Sequence, residues 1–324
     1  MYEIFQIISK SPPAVTAAKL QKKPCLSKTN FARNPKKQYI CGKHRGRGAS
    51  SGLIQSTPRS LDTHTPMTQG PLITIVTVTR NAAATIEATM QSVASQTFTD
   101  YEHIVMDGAS TDSTAETARR LASPRTRIYS EADHGLYDAM NKALALARGS
   151  YVMFLNAGDT FADINTLTRI ADAAKTHNPD IIYGQTLLVD AEGRVTGRRH
   201  LEAPPKLDHK SFRNGMVVCH QAFVVKRSIA PLYDLKYRFS ADYEWCIRCL
   251  QSSTSNHYAG PEPLIHYLNQ GLTTRNHKKS LAERFRIMAA YYGTLPTVAR
   301  HAAFTLRALK RKVGRRKPSQ GPQK

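Results

Sequence analysis

No run of about 18 apolar residues, the length a helix needs to span a bilayer, occurs in the chain, so no transmembrane helix is predicted. The dinucleotide fingerprint GxGxxG is missing after the first predicted strand, which counts against a nicotinamide- or flavin-dependent oxidoreductase. GxxxxGK[ST] is missing as well, which excludes a P-loop NTPase. Cysteine is sparse and odd in number, at Cys25, Cys41, Cys219, Cys246 and Cys249, and nothing demands an oxidising compartment. Cys246 and Cys249 have metal or redox spacing, but no second pair exists and the segment reads as helix. Two packed thiols are the preferred reading.

Acids are scarce only at the ends. Residues 1–70 hold 12 Lys and Arg against 2 Asp and Glu, and residues 275–324 hold 14 against 1. Residues 71–274 hold 20 against 21. The net charge of +22 over 324 residues therefore resides in the tails. Such a charge suggests nucleic acid at first sight, but the central region has no basic stripe. The tails alone would bind, without sequence preference, and no specific nucleic-acid partner is expected.

The first 66 residues are rich in Lys, Arg, Ser, Thr and Pro and lack periodicity, so they are read as a disordered basic leader. Met1 to Ile8 is too short for a secretory apolar core and has no basic residues before it. Met67 lies just before the first predicted strand, which leaves open whether residues 1–66 belong to the natural protein.

From Pro71 the chain alternates. Strands are predicted to end at Val78, Met106, Ser130 and Leu155, with helices near Ile86–Gln96, Thr114–Leu121 and Tyr137–Ala147 between them. That alternation predicts an α/β fold, a mostly parallel central sheet with helices on both faces. Further on, Ile164–Lys175 reads as helix, Asp180–Tyr183 as strand, and Thr186–Val189 with Arg194–Arg198 as a hairpin. His220–Val225 reads as strand, Ala241–Leu250 as helix, and Leu264–Tyr267 as a short extended piece.

The most informative stretch runs from Glu131 to Phe161. A loop at Gly135 leads into YDAMNK, then a buried strand, then Asn156-Ala157-Gly158-Asp159. Open α/β sheets bind ligands beyond the carboxyl ends of their strands, so Asp159 is well placed for a metal. The alternative is that it caps the next helix.

These blocks, GLYDAMNK followed by FLNAGD and later Ser240-Ala241-Asp242-Tyr243-Glu244-Trp245, resemble glycosyltransferase family 2. This is the inverting GT-A group, here of the bacterial polysaccharide-biosynthesis type, and the resemblance covers about 71–274. It implies a nucleotide-sugar donor, a glycan or lipid-linked acceptor, a divalent metal (Mg2+ or Mn2+) and a GT-A domain over 67–274. For the base and ribose it implies Thr79, Asn81 and Asp107 at the ends of adjacent strands; Asp107 also suits a turn with Asp112 capping the next helix. Arg80 stands where the family usually has an aromatic residue, and arginine can stack. Asp133, Tyr137, Asp138 and Asn141 are implied to line the donor pocket, with surface or capping roles as the alternative.

Asp159 is the acid remaining from the DxD-type motif, and Asn156 replaces the first acid. Magnesium is often held by one or two protein carboxylates with phosphates and water. Asp242 is implied as the general base, with a helix cap as the alternative role and Glu244 as the alternative acid. His220 and Gln221 are implied at the acceptor, against a core histidine. Gly271 to Thr274 resembles a closing loop, and Arg275, His277 and Lys278 are either phosphate contacts or a solvated run.

From Val298, apolar residues at 298, 302, 306, 309 and 313 share one helical face with basic residues around it. That pattern, over 275–324, predicts a basic amphipathic helical region able to meet an anionic membrane. The alternative is that its stripe packs on the catalytic domain. The expected location is cytoplasmic, peripheral on the inner face of the plasma membrane. Rival readings are a catalytically inactive GT-A binding module, prompted by the reduced DxD motif, and a nucleotidyltransferase, which lacks its Gly-rich amino-terminal loop here.

Overall fold

The computed structural model describes residues 70–268 and 276–314. Its first half is built from β1 (Ile73–Thr79), α1 (Ile86–Ala94), β2 (Tyr101–Asp107), α2 (Thr114–Arg120), β3 (Thr126–Ser130), α3 (Leu136–Leu146) and β4 (Tyr151–Phe154). These strands lie in the order β3-β2-β1-β4, all parallel. The crossovers are the predicted helices. Register puts Thr79 beside Asp107, and Asp107 beside Ser130. The carboxyl ends of three strands therefore form one row.

The second half is mixed. It contains β5 (Thr160–Phe161), α4 (Thr166–His177), β6 (Ile181–Val189), β7 (Val195–Arg198), β8 (Phe223–Lys226), α5 (Ala241–Ser252) and β9 (Asn256–Leu268). Strand β8 runs antiparallel between β4 and β6, while β9 lies parallel to β6 and antiparallel to β5. The predicted hairpin joins β6 and β7, its turn closed by Gly193 N–H donating to Asp190 O at 3.1 Å.

Three boundaries differ from the sequence reading. Two predicted extended pieces are one strand, β6. Leu264–Tyr267 is the end of the 13-residue β9. His220 lies in a 3-10 turn (His220–Ala222), and the strand begins only at Phe223.

Alternation along each strand sends neighbouring side chains to opposite faces. Val76, Val78, Ile104 and Phe154 pack with Tyr137 and Met140 of α3 and Trp245 and Ile247 of α5. Ile73, Ile75, Tyr151 and Met153 pack with Leu167 and Ile170 of α4. Helices cover both faces, as predicted. Cys219, Cys246 and Cys249 are buried free thiols, which agrees with the packed-thiol reading.

Two helices follow, α6 (His277–Tyr292) and α7 (Thr294–Gly314). The first buries Ile287 and Met288 in the same core as Trp245. Glu283 accepts from the backbone N–H of Arg238 and Phe239 at 2.9 and 2.8 Å, and the Ser280 and Ser240 hydroxyls meet at 2.8 Å. Helix α6 is thus part of the fold that leads the chain into α5. On α7, the stripe residues Leu306, Leu309 and Val313 lie outside the described side chains, as do residues 1–66 and Gly271 to Arg275 with the features read there.

Candidate active site

The row of strand ends carries the first set of predicted residues. Asp107 is buried, and its carboxylate accepts from Ser110 N–H (3.1 Å), from the Ser110 hydroxyl and from the Ser130 hydroxyl (2.6 Å). Asp112 accepts from the N–H of Thr114 and of Ala83 at 3.0 and 3.2 Å. It organises the start of α2, while Asp107 closes the loop in front of it. Thr79 Oγ is buried with no hydrogen-bond partner among the described residues. An unpaired hydroxyl at a strand end is costly unless a ligand completes it.

Asn81 adopts a left-handed backbone, φ 49°, and its Oδ1 accepts from Thr111 N–H at 2.9 Å. Ala109 is also left-handed, φ 52°. Such strain at a non-glycine residue persists where the surroundings enforce it, often at ligand sites.

Asp133 reaches the same place from the loop before α3. Its Oδ1 accepts from Gly135 N–H at 2.8 Å, and its other oxygen lies against Gly108, where any Cβ would collide with it. Asp138 accepts from His134 N–H at 3.0 Å and lies 3.7 Å from Lys142. Asn141 turns the other way: it donates to Tyr233 O at 3.0 Å and accepts from Tyr233 N–H at 2.7 Å. Both ends of its amide are taken, so it fixes a backbone segment. Tyr137 is buried and donates to Asp242 Oδ1 at 3.1 Å.

Asp159 follows β4 in a turn in which its N–H donates to Asn156 O at 3.0 Å. Its carboxyl is 4 % exposed and accepts from Leu268 N–H at 3.0 Å and Gln221 Nε2 at 2.7 Å. It caps no helix. Burial pushes its pKa up to about 7, against the pull of those two hydrogen bonds. Asn156 Oδ1 is buried and has no hydrogen-bond partner among the described residues. Gly158 (φ +102°) permits the tight turn, and a Cβ there would stand 2.9 Å from Leu268. Among the described residues no cluster of three or more His, Cys, Asp or Glu side chains is placed to hold a metal. A buried carboxyl and an unpaired amide oxygen from the same turn still fit a hard cation completed by phosphate and water.

Asp242 is half-buried in the first turn of α5, beyond the cap residue Ser240. Beneath it Phe154, His220, Tyr233 and Trp245 form an aromatic cluster. Tyr233 stacks on Trp245 at 5.0 Å and on Tyr137 at 5.5 Å, and His220 stacks on Phe154 at 5.0 Å. His220 Nε2 meets the Tyr233 hydroxyl at 2.5 Å, and burial lowers its pKa to about 4, so it is neutral. Glu244, the alternative acid, is buried; its Oε1 accepts from Arg248 at 2.8 Å and from Tyr291 of α6 at 2.5 Å. That oxygen ties α5 to α6, while Oε2 is buried with no hydrogen-bond partner among the described residues.

The family model described as glycosyl transferase family 2 matches residues 74–231. A PGL/p-HBAD biosynthesis glycosyltransferase of Mycobacterium tuberculosis is 35% identical over 190 residues, covering 56% of this chain and 71% of that relative. The chain belongs to glycosyltransferase family 2. Among solved structures, Staphylococcus aureus TarS 1-349 in complex with UDP superposes with TM-score 0.54 at 17% identity, covering 67% of this chain and 64% of that one. The mannosyltransferase PcManGT from Pyrobaculum calidifontis, in complex with GDP-Man and Mn2+, gives 0.52 at 18% identity, covering 78% and 82%. These structures share the GT-A fold with the chain.

As a family 2 glycosyltransferase, the chain brings its predicted residues together in two groups. Thr79, Asn81, Asp107 and Asp133 gather at the ends of β1 to β3. Asp159 and Gln221 are bonded to one another, and His220, next to Gln221, leads through the aromatic cluster towards Tyr137 and Asp242. Asp138 lies in the first turn of α3, bonded to His134 N–H and near Lys142. The sequence reading missed Tyr233, which touches Asn141, Tyr137, His220 and Trp245 at once. It stands in an irregular stretch, IAPLYD, where no period marks a buried residue. Gly108 was legible only as part of a turn.

Proposed function

We propose that this family 2 glycosyltransferase moves a sugar from a nucleoside-diphosphate sugar onto a hydroxyl of a glycan acceptor carried on a lipid, in cell-surface polysaccharide assembly. The observation that carries the reading is Asp159: a buried carboxyl pushed up to about 7, hydrogen-bonded among the described residues by neutral groups, in a turn that also holds Asn156 with its unpaired oxygen. A divalent cation and a diphosphate would complete both. TarS and PcManGT, similar in fold, form complexes with UDP and with GDP-Man and Mn2+ respectively.

The residues divide the work. Thr79 Oγ and the remaining lone pair of Asp107 face the nucleoside, with Asn81 and Asp133 holding the loops around it. Asp159 and Asn156 would hold Mg2+ or Mn2+, which when bound supplies counter-charge to the departing diphosphate. Asp242 accepts the proton of the acceptor hydroxyl. That oxygen forms the new bond to the anomeric carbon from the face opposite the diphosphate, whose bond to the same carbon breaks, so configuration inverts. His220 and Gln221 support the acceptor side.

No helix among the described residues is long and apolar enough to cross a membrane. The α7 sequence is rich in Lys and Arg, and Leu295 near its start is largely exposed, which suits reversible contact with anionic lipid. Such contact would put the enzyme at the inner face of the plasma membrane. Sedimentation with anionic liposomes that weakens with salt is expected; equal sedimentation with neutral liposomes contradicts the contact.

The deciding experiment is nucleoside-diphosphate release from UDP-, GDP- and TDP-sugars, with and without Mn2+. Release is expected from one nucleotide class, only with the metal. In Asp242→Asn it should fall by ~10²–10⁴ while donor still binds. Normal turnover in Asp242→Asn together with loss in Glu244→Gln would move the base to Glu244.

A further inference from the structure

One short segment touches both ends of the site. At its start, Asp133 lies against Gly108, next to Asp107. At its end, Asn141 clamps the backbone of Tyr233. Between them Tyr137 crosses to α5 and donates to Asp242 Oδ1, joining residues 105 positions apart in the chain. Among the described residues, the other Oδ1 donor is the N–H of Tyr243, the next residue. Among them the Tyr137 hydroxyl is therefore the bond from outside α5 that fixes which way this carboxylate faces.

The phenol is well placed for that task. Burial, and then the neighbouring Asp242 charge, push the Tyr137 pKa well above its ordinary value, so the hydroxyl stays protonated and can only be a donor when Asp242 is ionised. Its ring cannot swing, because it stacks on Tyr233 at 5.5 Å. Tyr233 in turn is fixed by Asn141, by the His220 contact and by its stack on Trp245. Trp245 is one turn beyond Asp242 on the same helix. The ring, its neighbours and the carboxylate close a loop of contacts around the proposed base.

We propose that Tyr137 is a positioning residue: from the donor-side helix α3 it holds the Asp242 carboxylate in the orientation that receives the acceptor proton. The assignment rests on Asp242 being the base. It differs from a pocket-lining role because the hydroxyl is spent on Asp242. It also gives the loop 131–135 a mechanical link to the base, since Asp133 and Tyr137 are separated by one turn of chain.

The test uses Tyr137→Phe, which removes the hydroxyl and leaves the ring stack. The probe is the UDP-, GDP- or TDP-sugar that gives the fastest diphosphate release with Mn2+. The expected result is a fall in kcat of ~10-fold, with the KM for the donor and the affinity for the matching nucleoside diphosphate unchanged within about two-fold. Adding Tyr137→Phe to Asp242→Asn should cost nothing further, because the hydroxyl acts through that carboxylate. Tyr137→Leu, which also removes the ring, should lower the melting temperature, and Tyr137→Phe should not.

A wild-type kcat in Tyr137→Phe overturns the proposal. So does a raised donor KM at unchanged kcat, which would return Tyr137 to the donor pocket. A full further loss on the Asp242→Asn background overturns it too. If Asp242→Asn alone turns over normally, the base assignment fails and the positioning role fails with it. If Asp242→Asn is inactive and Tyr137→Phe is not, the base assignment stands and the positioning role alone is wrong.

Discussion

The two halves of the sheet handle their buried carboxylates differently. In the parallel half, Asp107 is tied by Ser110 and Ser130, groups from its own loop and the neighbouring strand end. In the mixed half, Asp159 is met by Leu268 N–H and Gln221, from 109 and 62 residues away. The first arrangement is assembled by adjacent strand ends, with three donors already on the Asp107 carboxylate and the Thr79 hydroxyl beside Asp107 in register left unpaired among the described residues. The second depends on β8 and β9 arriving, and it leaves a desolvated acid. A carboxyl in that condition gains from a cation, whereas one already bonded by three donors gains less. The contrast is what the proposed division between a nucleoside side and a metal side rests on.

The largest effect expected from breaking this contrast is on stability against pH. Burial raises the folded Asp159 carboxyl to about 7 from an ordinary value of 3.8. Between those values the folded chain keeps a proton that the unfolded chain has released. Metal-free stability therefore falls as pH rises through that window, and the contribution is lost above it. Asp159→Asn should remove this slope and stabilise the metal-free protein at pH 8 by on the order of 2–4 kcal/mol relative to wild type. His103 and His220, lowered to about 4 by burial, contribute the opposite slope on acidification below the histidine range. The difference between wild type and variant is thus the quantity to follow, by denaturant titration at pH 5 and pH 8. No difference in slope would mean that Asp159 is better solvated than its burial implies.

A smaller effect is expected from Asn141→Ala. It leaves the Tyr233 N–H and C=O unpaired and should cost about 1–3 kcal/mol. It should also lower turnover without weakening nucleotide binding, because the damage passes through Tyr233 to the base side. Weaker nucleotide binding with unchanged stability would restore a direct contact with the donor. The smallest effect should come from a chain beginning at Met67, with a melting temperature and turnover matching the full chain. A large drop would show that the leader packs on the domain.

The parallel half was legible because its information is local. Alternating runs gave β1 to β4 and their crossovers, and each strand ended where a polar cluster followed it. Asp107, Asp159 and Asp242 stood out as candidates because motif blocks marked them. Roles set by distant partners were less legible. Asn141 and Tyr137 read alike, as neighbours on one helical turn, yet one clamps Tyr233 and the other reaches Asp242. Nor could the sequence separate Asp242 from Glu244. Tyr291 of α6 meets Glu244 and Tyr137 of α3 meets Asp242, and neither contact shows in the sequence. The length of β9 and the 3-10 turn at His220 depend on pairing across the sheet, which leaves no periodic trace.

The central claim, that Asp159 receives a cation together with a diphosphate, is tested most directly by a thermal-shift titration of UDP and GDP with and without Mn2+. In the wild type, nucleotide and metal together should raise the melting temperature by more than the two separate shifts combined. That excess should vanish in Asp159→Asn and survive in Glu244→Gln. The same excess in Asp159→Asn, or no shift with either nucleotide in the presence of metal, would contradict the account.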